Sequence, residues 1–233
     1  MKENSIIVEN LIKTFKAPKN FKNKSNLIYA LNNISFSLEK GQILGIIGKN
    51  GSGKTTLLRT ISGIYNATSG NITVNGKLAP VLQIGIGFRN EISCVENIIM
   101  YGLLLGLQKN EIKNKINSIL EFADLKDFAR MKLKYFSSGM RTRLAFATAM
   151  QIKSEIFLVD EILAVGDMDF KQKSFDEFMR LKKEGKTIIH TTHNLSAVER
   201  FSDKVLFLDK GKQIDIGEPK EIVTKYKKYI LGE

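Results

Sequence analysis

Eight consecutive residues, Gly48-Lys49-Asn50-Gly51-Ser52-Gly53-Lys54-Thr55, have the types and spacing of a phosphate cradle, G-x-x-x-x-G-K-[ST]. To hold phosphate oxygens, successive backbone N–H groups must turn toward one point. A Cβ would block such a path, which accounts for Gly48, Gly51 and Gly53. The Lys54 ammonium can sit between β- and γ-phosphates, and the Thr55 hydroxyl can ligate Mg²⁺. A bare match leaves a chance glycine-rich turn open, so the flanks matter. Gln42–Ile47 is an apolar run of strand length, and Thr55–Ile61 carries apolar residues at helical spacing. Strand, loop and helix start are the context that the motif requires, and the helix dipole also favours phosphate, so a nucleotide is the expected ligand.

Two acids, Asp160 and Glu161, end the apolar run Ile156–Val159. Carboxylates at the C-terminal edge of a central parallel strand lie by the phosphate loop. Asp160 can hold the Mg²⁺ shell there, and Glu161 can orient or activate a water for in-line attack on a γ-phosphate. His193 follows the run Thr187–Thr191 by two residues, at the same sheet edge, whereas His190 sits inside that run and reads as structural. Phe136-Ser137-Ser138-Gly139-Met140 places small and hydroxyl residues where a helix begins, so its free N–H groups and the Ser side chains can hold an anion.

The elements that must position these groups follow a mixed pattern. Short strands are expected at Ser5–Leu11, Tyr29–Leu38 and Gly70–Gly76, around the strand that feeds the phosphate loop. Between the first two lies a polar loop, Lys16–Ser25. From Glu91 to Met150 the periodicity is helical, with starts near Val95 and Asn110 and a cap at Ser137 or Ser138. Beyond Glu155, buried strands at Ile156–Val159, Thr187–Thr191 and Val205–Leu208 alternate with a helix between Phe170 and Lys183, and the tail after Pro219 reads as helical.

Composition narrows the classes. The chain has 233 residues, 43% hydrophobic and 26% charged, as in a soluble globular protein. Its longest apolar run, Ile98 to Leu107, is too short to cross a bilayer, and no apolar signal segment follows Met1. The single Cys94 excludes an internal disulfide and reads as a packing residue; with His190 and His193 the only histidines, a zinc site is not expected. A net charge of +12 suits nucleic acid, an anionic membrane surface or simply solvated lysines. Lys13, Lys16, Lys19, Lys22 and Lys24 fall in an acid-free stretch that could face phospholipid head groups. No arginine accompanies them, so direct nucleic-acid binding is not expected.

In this order the motifs resemble those of the ATP-binding cassette ATPases, over nearly the whole chain. Gly48–Thr55 is similar to that family's Walker A, Phe136–Met140 to its signature, and Ile156–Glu161 to its Walker B with the catalytic glutamate. Leu163–Asp167 sits where the D-loop is expected, and His193 matches the switch histidine. The resemblance implies an α/β fold: a P-loop NTPase core, RecA-like, with an N-terminal antiparallel β part and an inserted α-helical subdomain over about 91–150 of a single 1–233 domain. It also implies an aromatic stacked on adenine, Phe15 first and Tyr29 second, and a glutamine for Mg²⁺ and permease coupling, Gln83. ATP would be held by Gly48 through Thr56 of one copy and by Ser137, Ser138, Gly139 and Asp167 of a second.

Within the family, Phe-Ser-Ser-Gly-Met, Ala164-Val165-Gly166-Asp167 and the expanded loop between the first strands resemble cassettes that export bacterial polysaccharides: capsule, O-antigen or teichoic acid. Met140 departs from the usual signature glutamine, and Ile84-Gly85-Ile86-Gly87-Phe88 from the usual surroundings of the coupling glutamine. The implied assembly is a homodimer on an integral membrane permease, peripheral at the cytoplasmic face of the inner membrane. Some such cassettes carry a C-terminal carbohydrate-binding domain, for which no room is expected before Glu233. The alternatives are a soluble cassette ATPase of translation or DNA repair, or a cassette serving another cargo.

Overall fold

A computed structural model describes residues 3–18, 26–82, 84–161 and 168–232. Lys19, Lys22, Lys24, Gln83 and Asp167 lie outside the described residues. In chain order the elements are β1 (Asn4–Lys16), β2 (Leu27–Glu39), β3 (Ile43–Ile47), α1 (Lys54–Ile61), β4 (Ser69–Val74), β5 (Leu78–Val81), α2 (Cys94–Leu104), α3 (Lys109–Phe122), α4 (Ser138–Ala149), β6 (Ile156–Asp160), α5 (Met168–Lys183), β7 (Thr187–Thr191), α6 (Leu195–Phe201), β8 (Lys204–Asp209), β9 (Lys212–Gly217) and α7 (Pro219–Leu231). The chain divides into two compact units, Met1–Leu82 with Ser154–Glu161 and Leu181–Glu233, and Gln83–Lys153 with Ile162–Arg180.

The first unit holds a sheet of order β4-β1-β2-β9-β8-β3-β7-β6-β5. Its centre is parallel: β3 pairs with β7 and β8, and β6 with β5 and β7. Such strands are covered on both faces, so they carry unbroken apolar runs. In β3, Ile43, Leu44, Ile46 and Ile47 are all buried, each side chain contributing about 1.5–3 kcal/mol of burial.

The N-terminal edge is antiparallel, β1 against β2 and β4, and there the pattern alternates. Ile6 and Val8 point inward, then the register shifts at Asn10 (φ 49) and Leu11 resumes the buried face. The extra residue of a bulge is what lets the alternation restart one position late.

The second unit is helical and has its own core, in which Cys94, Ile98, Ile112, Ile119, Leu133 and Leu144 cluster. Its helix starts are encoded locally. Ser93 and Glu96 form a capping box on α2, and Ser137 caps α4 through Met140 N at 3.2 Å. Asn97 is fully buried, yet its amide is satisfied by Arg89, Ile92 and Ser93, which fixes the turn into α2. Burial pushes the Cys94 thiol up to about 12, consistent with a packing role. Among the described residues, no helix is long and apolar enough to cross a membrane.

His190, inside β7, is wholly buried, with Nε2 2.9 Å from Ser202 Oγ and Nδ1 without a hydrogen-bond partner among the described residues. Burial pushes its pKa down to about 4. Between about 6.5, the unfolded value, and 4, the unfolded chain therefore binds a proton that the folded chain refuses. The stability is present above about pH 6.5 and falls as pH drops toward 4, by roughly 3 kcal/mol from this one group. Urea unfolding across that window should show His190→Gln losing less stability than the parent, by about that amount. Parallel losses in the two proteins would sink the assignment.

Candidate active site

The phosphate-type loop joins β3 to α1, and two of its glycines, Gly48 and Gly53, are required by space as well as by φ. A Cβ on Gly48 (φ 155) would lie 2.2 Å from Leu208 O and 2.5 Å from Ser52 Oγ. Gly53, the α1 N-cap, is left-handed at φ 106, and a Cβ there would meet Ala30 O at 2.7 Å. The loop is pinned from outside by Gly211 N, which donates to Ser52 O at 2.9 Å.

Lys54 is buried, and its ammonium donates to Gly48 O at 2.8 Å and Lys49 O at 3.1 Å. Burial holds it below the usual lysine range, against the opposite pull of Glu161 and Asp160. Ser52 Oγ is buried with no hydrogen-bond partner among the described residues. A cradle whose buried polar atoms are under-satisfied suits an anionic ligand with several acceptor oxygens.

The loop opens on a cleft of about 420 Å³ lined by Asn50 through Thr56, Ile28, Tyr29, Ala30, Glu161 and Lys210. Tyr29 is half exposed there. Phe15 does not line the cleft. Its ring packs edge-on against Tyr65 at 5.3 Å, with Lys13 Nζ 4.9 Å from its centroid.

The carboxylates reach the site across a strand. β7 lies between β3 and β6, so Asp160 is one strand removed from the loop's own strand. Thr191 Oγ1 donates to Asp160 Oδ1 at 2.6 Å and accepts from Glu161 N at 3.1 Å. Glu161, at φ 55, turns into the cleft, and its Oε1 meets His193 Nε2 at 3.0 Å. The structure thus brings Lys54, Thr55, Glu161 and His193 to one edge of the sheet. Thr55 and Asp160 are hard oxygen donors of the kind that Mg²⁺ takes, and a two-ligand set leaves most of its shell to substrate phosphates and water. No cluster of three acidic, His or Cys side chains able to hold a metal unaided is present among the described residues.

In the second unit, Ser137 and Ser138 are exposed at the start of α4, beside Gly139. Arg141 braces this corner, donating to Phe136 O at 3.4 Å, Leu133 O at 2.7 Å and Asn90 Oδ1 at 2.7 Å. Sequence reasoning did not single out Thr191, Lys210 or Arg141. The first is an ordinary strand residue in sequence. Lys210 reaches the cleft only because the β8–β9 turn is tied to Ser52. Arg141 could have been noticed, as it directly follows the Ser-Ser-Gly-Met corner.

The sequence model of the ABC transporter family matches residues 31–164, more than half of the chain. The chain belongs to that family. It is 42% identical over 206 residues to the O-antigen export system ATP-binding protein RfbB of Myxococcus xanthus, covering 88% of this chain and 47% of that protein. It is 41% identical to the teichoic acids export ATP-binding protein TagH of Bacillus anthracis (87% and 37%) and 36% identical to RfbB of Klebsiella pneumoniae (88% and 83%). The chain thus spans less than half the length of the first two of these relatives. Among solved structures, the dimeric post-hydrolysis state of the ATP-binding cassette MJ0796 with ADP and Pi superposes with TM-score 0.77 at 22% identity, over 92% of this chain and 98% of that one. The ADP conformation of the cassette MJ1267 gives 0.76 at 22%, over 99% of each. The fold is that of ABC cassettes, the α/β P-loop type expected from the sequence.

The geometry separates two of the loop glycines, Gly48, which the motif fixes, and Gly51, which fills one of its free positions. Gly48 and Gly51 both have positive φ, but a Cβ on Gly51 meets nothing within 4 Å. Gly51→Ala should cost about 1 kcal/mol, and Gly48→Ala about 1–3 kcal/mol more from overpacking. Thermal unfolding of both variants measures this, and equal losses would contradict it.

Proposed function

We propose that this chain is the ATP-binding and hydrolysing subunit of an ABC exporter that moves a cell-surface polysaccharide, of O-antigen, capsule or teichoic acid type, through a separate membrane permease. The observation that carries the reading is the convergence of buried Lys54, Thr55 and the His193-held Glu161 on one cleft. The names of the relatives, O-antigen and teichoic acid export, support the cargo class.

ATP is the substrate. Gly48, Lys49, Asn50, Gly51, Ser52 and Gly53 wrap its phosphates, and Lys54 leaves the two carbonyls for the β- and γ-oxygens. Thr55 and Thr56 add hydroxyls at the helix start. Tyr29, in the cleft wall, stacks on adenine in preference to Phe15. When bound, Mg²⁺ supplies neutralising charge to the phosphates, with Thr55 and Asp160 as its protein ligands and Gln83 as the further ligand that the family resemblance implies. Glu161 accepts a hydrogen bond from water and aligns it with the γ-phosphorus. The new P–O bond forms as the β–γ bridge bond breaks and the water's proton leaves by way of the Glu161 carboxylate, giving ADP, phosphate and a proton, while His193 holds that carboxylate in place.

A second copy supplies Ser137, Ser138 and Gly139 to the γ-phosphate and brings Asp167 to the same interface, so ATP closes a homodimer. The permease contacts the second unit, where Ile86, Leu103 and Leu104 are exposed near a cleft of about 320 Å³ lined by Ile84, Gly85, Phe88, Asn90, Arg141 and Thr142. The subunit sits peripherally on the cytoplasmic face of the inner membrane. Its net charge of +12 favours an anionic surface.

Glu161→Gln keeps the shape and removes the charge. It should form an ATP-dependent dimer on a sizing column while hydrolysis falls by a factor on the order of 100 or more. No ATP-dependent dimer together with undiminished hydrolysis would overturn the role. Co-purification of a membrane protein with bound lipid-linked sugar tests the cargo. Separately, Tyr29→Ala should weaken binding of a fluorescent ATP analogue about tenfold and Phe15→Ala hardly at all. The reverse order would restore Phe15 to the base.

A further inference from the structure

We infer that Thr191 is a positioning residue that sets both acids of the hydrolytic site through one hydroxyl. It rests on the reading above, in which Asp160 and Glu161 act on Mg²⁺ and water. Thr191 ends β7 and is completely buried. A threonine hydroxyl has one proton to give, and here it goes to Asp160 Oδ1 at 2.6 Å. With that proton committed, the oxygen accepts from Glu161 N at 3.1 Å, and the Thr191 carbonyl accepts from the same N–H at 3.2 Å.

These contacts hold Glu161 in a conformation that its own backbone disfavours. At φ 55 a residue with a Cβ costs about 1–2 kcal/mol relative to ordinary conformations. A β-branched side chain is stiff at χ1, so a buried threonine holds its hydroxyl in one direction, which a serine does less firmly. The same side chain therefore orients the Asp160 carboxylate and turns Glu161 toward the cleft, where its Oε1 meets His193 Nε2. A residue that merely gave its proton to the Asp160 carboxylate would have no reason also to accept from the Glu161 backbone N–H.

Thr191→Val preserves shape and the backbone acceptor but removes both hydroxyl bonds. In the full chain it should lower kcat for ATP roughly 10- to 100-fold, as loss of outer-shell partners does, while ATP-analogue affinity stays within about twofold. Thr191→Ser should recover most of the rate. A purely structural threonine would instead lower the melting temperature with kcat intact. Wild-type kcat in Thr191→Val, or no rescue by Thr191→Ser, overturns the inference. If the unaltered chain hydrolyses no ATP, the ATPase reading fails, and the ligand-free crystal structure of Thr191→Val decides the positioning role by itself. The role stands if Asp160 and the Glu161–His193 contact are displaced, and falls if they are unmoved.

Discussion

One row of strand pairing fixes the site. Ile46 of β3 lies opposite Thr191 of β7, and Thr191 lies opposite Asp160 of β6. The loop turns at Gly48, two residues past Ile46. Glu161 comes one residue past Asp160, and His193 two past Thr191. A slip of one residue in either pairing would turn Thr191 or Asp160 to the other face of the sheet and send the polar ends into the core. What prevents the slip lies behind the row. Ile43, Leu44 and Ile46 on β3, Ile188 and Ile189 on β7, and Ile156 to Val159 on β6 are buried on both sides of the sheet. The chemistry at the edge is thus registered by hydrophobic packing that takes no part in it.

That packing also dictates where side chains must be absent. Gly45 faces Ser202 Oγ, and a Cβ there would come within 2.6 Å of it. Gly48 does the same against Leu208 O. The strand that launches the loop therefore has neighbours pressed on it from β8 and from α6, and its glycines serve close approach as much as backbone freedom. His190 belongs to the same economy of space: its Nε2 reaches Ser202 Oγ, beside the gap left by Gly45.

Much of this was legible from the sequence because the decisive signals are local. The strand–glycine loop–helix, the two acids after an apolar run, and the Ser137 cap each depend on a few adjacent residues. The features that escaped depend on long-range pairing. β9, with only Ile214 and Ile216 as large apolar residues, becomes a strand because β8 pairs with it across the Asp209–Lys212 turn. The short β5 extends the parallel sheet beyond β6 and contains Pro80, which has no N–H for a ladder but is tolerated on this edge. The resemblance ranks Phe15 before Tyr29, and the proposed reading reverses that order: β1 runs on to Lys16 and pairs Phe15 with Ile28, which leaves Phe15 against Tyr65, whereas Tyr29 lines the cleft beside Ala30.

The loop's polar groups are matched only in part by protein partners. Ser52 Oγ is buried with no hydrogen-bond partner among the described residues, and a buried hydroxyl left so costs on the order of 1–3 kcal/mol. Lys54 is desolvated and satisfied by two carbonyls, neither of which carries a charge. Its nearest opposing charges, Glu161 and Asp160, are themselves engaged by His193 and Thr191. A bound polyanion would give Lys54 a full counter-charge and Ser52 an acceptor. Binding free energy would then include relief of penalties already built into the fold. A ligand that binds only the folded chain stabilises it by mass action, so a polyanion matched to these groups would add local order to the loop. On the proposed reading, that order is what a second copy would meet when the dimer closes.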